Sequence, residues 1–80
     1  MVHDFTLVYA LNPEMDSQDE VLRRLAGSDG ADATVGWGRP GHIALAFSRE
    51  AQDRDVAVTF AVAQMARVLP GAKLDRVDAG

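Results

Sequence analysis

The chain has eighty residues, no cysteine, and twelve acids against eight bases, for a net charge of −4. That composition excludes a disulfide framework, an iron–sulfur cluster and a thiolate zinc site, and its long-range repulsion of phosphates argues against direct binding to nucleic acid. The length allows one domain over residues 1–80, burying only about 60% or a little more of the surface its unfolded chain exposes, so the core has to be economical.

In chain order, Phe5, Leu7, Tyr9 and Leu11 alternate with Asp4, Thr6, Val8 and Ala10, the two-residue period of a strand with one large-residue face and one small-residue face. Asn12-Pro13 breaks that strand. Ser17 followed three residues later by Glu20 reads as a capping box opening a helix whose apolar stripe is Val21, Leu22 and Leu25. The helix stops in the stretch Gly27-Ser28-Asp29-Gly30. Ala33, Val35 and Trp37 then begin a second alternation, Gly38-Arg39-Pro40-Gly41 is turn chemistry, and Ile43, Leu45 and Phe47 alternate beyond it, so the segment reads as a hairpin.

A second helix is expected from about Asp53 to just before Pro70-Gly71, because Val58, Ala61, Val62, Met65, Val68 and Leu69 recur at helical spacing. A last strand carries Ala72, Leu74 and Val77. Strand, helix, strand, strand, helix, strand is the ferredoxin-like split β-α-β order: an α+β fold in which two helices cover one face of a four-stranded antiparallel sheet. The term names a topology and implies no cluster or activity.

Chemistry is sparse. His3 and His42 have no second ligand at metal-site spacing, so the first reads as capping an edge of the sheet and the second as a solvated residue at the mouth of the hairpin. Ser17, Ser28 and Ser48 lack a glycine elbow and a neighbouring base. Gly36-Trp37-Gly38 falls inside the hairpin, where it cradles no phosphate. The expectation is a chain that is no enzyme and has no metal or cofactor.

Two surfaces stand out for binding. The topology places both termini at one end of the sheet together with Asp4, Asp29, Asp32, Glu50, Asp53, Asp55 and Asp78, opposed mainly by Arg49 and Arg54, and this end is expected to be negative. Part of that has an ordinary cause, since Asp53 and Asp55 complement the dipole at the start of the second helix. On the sheet face away from the helices, Thr6, Val8, Ala10, Ala44, Ala46 and Ser48 make a flat platform of small side chains, with Val8, Ala44 and Ala46 suited to self-association. Val56 and Phe60 lie about half a turn from the core stripe of the second helix, so they either flank the other helix or form an exposed hot spot.

His3-Asp4-Phe5-Thr6-Leu7, Gly38-Arg39-Pro40-Gly41, Phe47-Ser48-Arg49-Glu50-Ala51 and Leu69-Pro70-Gly71-Ala72-Lys73-Leu74 together resemble the amino-terminal domain of short bacterial DNA-binding proteins that continue into a carboxy-terminal helix-turn-helix. The resemblance covers nearly all of the chain and implies a dimerisation or sensing domain of a transcriptional regulator or antitoxin, with the DNA-reading helices expected only beyond Gly80. As a stand-alone acidic domain, the chain is also similar in size and charge to the anti-CRISPR proteins of phages and mobile elements, type I-C inhibitors in particular. That likeness implies an acidic DNA-mimicking surface of Asp29, Asp32, Glu50, Asp53, Asp55 and Asp78 occupying the basic DNA-recognition site of a type I surveillance complex in the cytoplasm of a bacterial host cell, and this inhibitor is the leading functional expectation, with the regulator domain as the alternative.

Overall fold

The structure is a computed structural model that describes residues 1–12, 14, 17–28, 32–37 and 40–79. Six elements follow in order: β1 (Val2–Ala10), α1 (Gln18–Ala26), β2 (Thr34–Gly36), β3 (His42–Glu50), α2 (Arg54–Val68) and β4 (Lys73–Ala79). The strands form one sheet in the order β2-β3-β1-β4, every neighbouring pair antiparallel, and the architecture is the expected α+β one.

The register explains where the core sits. β1 and β3 pair along their whole length, with Phe5 opposite Phe47, Leu7 opposite Leu45 and Tyr9 opposite Ile43. All six point to the same face, because side chains two apart along a strand share a side. That face is closed by Val21 and Leu25 of α1 and by Ala57, Ala61 and Met65 of α2, with Leu69 just beyond α2, in one buried cluster. The Phe5 and Phe47 rings stack at 5.5 Å between centroids. Leu22, expected in the α1 stripe, is exposed instead, since Val21 and Leu25 four residues apart already face the sheet.

α1 begins after the expected cap Ser17, and α2 begins after Asp53, whose side chain proves to be its cap. Ser17 Oγ accepts from the Glu20 N–H at 3.3 Å, and Asp53 Oδ1 accepts from the Val56 N–H at 2.9 Å. The Glu20 carboxylate turns to Arg23 and Arg24, at 2.9 and 3.3 Å. α1 ends at Gly27. In the hairpin, Gly41 holds φ +74°, a conformation that favours glycine, and its carbonyl accepts from the Leu11 N–H at 2.7 Å. Gly38 and Arg39 of that turn, like Asp29 and Gly30 after α1, lie outside the described residues.

β4 resolves an oddity of its sequence. Leu74 and Val77 are three apart, which breaks alternation, yet Leu74 pairs with Tyr9 and Val77 with Leu7, two core-facing positions. A bulge between Val8 and Tyr9 of the partner strand leaves Asp75 as the extra residue, so both apolar side chains lie on the core side of the sheet, at its edge, where they remain 39% and 41% exposed. As an edge strand with a bulge and alternating charge, β4 is also protected from pairing with another chain.

The Asp53 cap is the most separable contribution to this fold, because the side chain is exposed and its removal opens no cavity. Asp53→Ala is expected to cost about 1 kcal/mol, and a thermal melt should show the midpoint falling by roughly 4–8 °C for a domain of this size.

Candidate functional site

The expected acidic end exists, and the fold builds it from both layers. Glu50 lies opposite Val2 and Ser48 opposite Asp4, Asp78 lies opposite Thr6, and the Met1 ammonium and carbonyl bond the Ala51 carbonyl and N–H at 3.3 and 3.0 Å. Asp53 and Asp55 open α2 directly after β3. Asp32, Glu50, Asp53 and Asp55 therefore come to the end that carries the amino terminus, whereas Asp78, opposite Thr6, lies beside the middle of β1, and Asp29 lies outside the described residues.

Most of these acids already have work inside the domain. Asp32 receives two bonds from the Arg49 guanidinium, Nε to Oδ2 at 3.1 Å and Nη2 to Oδ1 at 2.9 Å. Asp78 pairs with Arg76 at 3.1 Å, Asp4 accepts from the Ser48 hydroxyl, and Asp53 caps α2. Glu50 and Asp55 are exposed, and both border the shallow depressions on either side of Val56 and Phe60. Of these acids, Asp32 and Asp78 are paired with arginines, whereas the Asp53 cap and the Asp4–Ser48 bond leave the carboxylate charge in place. The end is a set of locally compensated charges with a negative remainder beside the start of α2.

Arg49 is the side chain that the composition least predicts. Its side chain is only 15% exposed, its guanidinium carbon stands 4.6 Å from the centre of the Phe47 ring, and its Nη1 donates to the Gln64 side-chain carbonyl on α2. One arginine thus ties the segment before β2, the strand β3 and the middle of α2 together. A planar donor fork that also stacks on an aromatic ring suits this position in a way lysine does not. The signal in the sequence is weak: an arginine at a core-facing position of a strand, two residues after Phe47.

The expected sheet platform is flat but offers little apolar surface. Thr6, Ala10, Ala44 and Ala46 are half-buried, and Val8, between Ala44 of β3 and Arg76 of β4, is only 9% exposed. Small side chains let their neighbours close over Val8, so this face presents little apolar surface. The larger apolar exposure is on α2, where Val56 is 50% and Phe60 62% exposed, which decides between the two placements the sequence allowed. They face solvent, away from the core.

Groups capable of chemistry do not converge. His3 Nε2 and the Tyr9 hydroxyl are both buried without a hydrogen-bond partner, but six residues of strand separate them by about 20 Å. Burial raises the Tyr9 pKa, which keeps the phenol neutral. His3 sits at the end of β1, a central strand, where β1 pairs with β3 opposite Arg49. His42 Nδ1 lies 3.1 Å from the Pro40 carbonyl at the hairpin, as expected of a solvated turn residue. The cleft between the helices, about 660 Å³, is lined among the described residues by Arg24, Gly27, Ser28, Gln64, Arg67, Val68 and Pro70, none of them a carboxylate or a histidine. Among the described residues no three His, Asp or Glu side chains come together as a metal site. No helix among them is long and apolar enough to cross a membrane.

Arg49→Ala should destabilise the domain by about 2 kcal/mol in a denaturant titration, because it strands Asp32 and the Gln64 amide at once. Asp32→Asn, which removes only an exposed partner, should cost well under about 1 kcal/mol. Comparison with known proteins adds no constraint on what the surface meets: no family model matches the chain, and no curated protein and no solved structure matches it.

Proposed function

We propose that the chain is a non-enzymatic association domain that works by binding protein, in the manner implied by its resemblance to the amino-terminal domain of helix-turn-helix regulators. The observation that carries this reading is the pair Val56 and Phe60, half or more exposed on an ordered helix of a domain with few apolar residues to spare. An aromatic anchor beside a branched aliphatic side chain, rimmed by charge, has the composition of a protein-binding hot spot. The dispersed histidines, the engaged serines and the open cleft support no reaction.

A second reading is favoured by one observation, the negative remainder of Glu50 and Asp55 bordering the same apolar spot. In that reading the chain inhibits a type I surveillance complex by sitting on a basic surface that otherwise receives DNA. The acids would supply attraction and Phe60 the buried contact. Asp32 and Asp78 contribute less, since each is paired with an arginine of its own chain.

The two readings separate in solution. Sedimentation of the purified chain over a range of concentrations should show reversible self-association if it is an association domain. Binding to a type I-C surveillance complex that is competed away by target double-stranded DNA, and lost in Glu50→Lys with Asp55→Lys, would instead establish the inhibitor. A chain that stays monomeric up to about 1 mM, the weak end of specific affinities, and ignores the complex would sink both.

A further inference from the structure

α2 carries two apolar stripes, and the fold buries one. Ala57, Ala61 and Met65 face the sheet, with Val58, Val62 and Val68 partly buried at their sides. The opposite side runs Asp53, Val56, Phe60, Ala63, Arg67, with spacings of three, four, three and four residues. All five are exposed. That spacing is the a/d repeat that keeps one seam of a helix against a partner helix. Apolar side chains on two sides of a helix call for two partners, and here the domain itself covers only the Ala57–Ala61–Met65 side.

The order of residues along the seam is self-complementary. If a second α2 lies antiparallel across a two-fold axis at Phe60, each Val56 faces the partner copy's Ala63, a large residue against a small one, and the two Phe60 rings meet on the axis. The same arrangement sets the acid at the start of one seam, Asp53, against the base at the end of the other, Arg67, twice over. Asp55 in the first turn adds to the negative end, while Arg67 stands in the last turn. Asp53 keeps its cap through Oδ1, which leaves Oδ2 for an arginine. A parallel arrangement would instead put acid against acid and base against base.

We propose that a second copy of this chain covers the Asp53–Val56–Phe60–Ala63–Arg67 seam, forming a two-fold homodimer through antiparallel α2 helices. This rests on the reading of the chain as an association domain and replaces Ala44 and Ala46 by Phe60 as the centre of the self-contact. One helix crossing buries less than a standard interface of about 800 Å² per partner, so the dimer dissociates readily on dilution.

The absence of cysteine gives a clean test. In sedimentation experiments Phe60→Asp should weaken dimerisation at least about tenfold, because two carboxylates then meet on the axis, and Arg67→Glu should weaken it too, while circular dichroism of both variants stays native. Mild oxidation of Phe60→Cys should yield a disulfide-linked dimer far faster than Ala66→Cys, whose position lies off the seam. A dimer that survives Phe60→Asp but is lost in Ala46→Lys would overturn the α2 seam and leave the association domain standing. A chain monomeric up to about 1 mM would overturn both.

Discussion

The rest of the molecule depends on the register between β1 and β3. Setting Phe5, Leu7 and Tyr9 opposite Phe47, Leu45 and Ile43 puts every large side chain of the two central strands on one face. A slip of β1 by one residue would turn Phe5, Leu7 and Tyr9 toward solvent and bring Thr6 and Val8 under the helices, where they are too small to fill the space. An eighty-residue domain has no second core to compensate. The helices are placed by this face, and the edge strands follow: β2 completes three residues beside β3, and β4 needs a bulge to keep Leu74 and Val77 on the same side.

The same register brings the charged residues together. Arg49 is the next core-side position after Phe47, so its guanidinium emerges at the margin of the core, where Asp32 and Gln64 can both reach it. That contact draws Asp32 into the architecture and lowers the negative potential the composition implies. The acidic end is therefore weaker as an electrostatic surface than a count of its carboxylates suggests. Its remaining acids, Glu50 and Asp55, stand next to the exposed Val56 and Phe60 side chains, and in the proposed binding role charge would steer a partner while burial supplied the affinity.

α2 is where local and global requirements part. Its inward stripe is narrow and built of small residues, Ala57 and Ala61 with Met65, which lets the helix approach the sheet closely. Its outward stripe carries the larger Val56 and Phe60. A helix meant only to shield a sheet from water has no use for an exposed phenylalanine. The opposite charges at the two ends of that stripe, Asp53 and Arg67, are what the proposed antiparallel pairing of two copies rests on.

The alternation of apolar residues, the caps at Ser17 and Asp53 and the turn around Gly41 were enough to determine the six elements and their order, because each depends on side chains within a few residues of one another. The gathering of acids at the end bearing the amino terminus was legible too, since it follows from that order alone. Tertiary structure decided the rest. Only the packed sheet could show that Asp32 and Asp78 are already paired, that Val8 is closed over by its neighbours, that Asp75 is a bulge, and that Val56 and Phe60 face outward and not toward α1. Which side of an apolar helix is buried depends on the size and position of a surface formed by residues far away in the chain, and no local spacing contains that information.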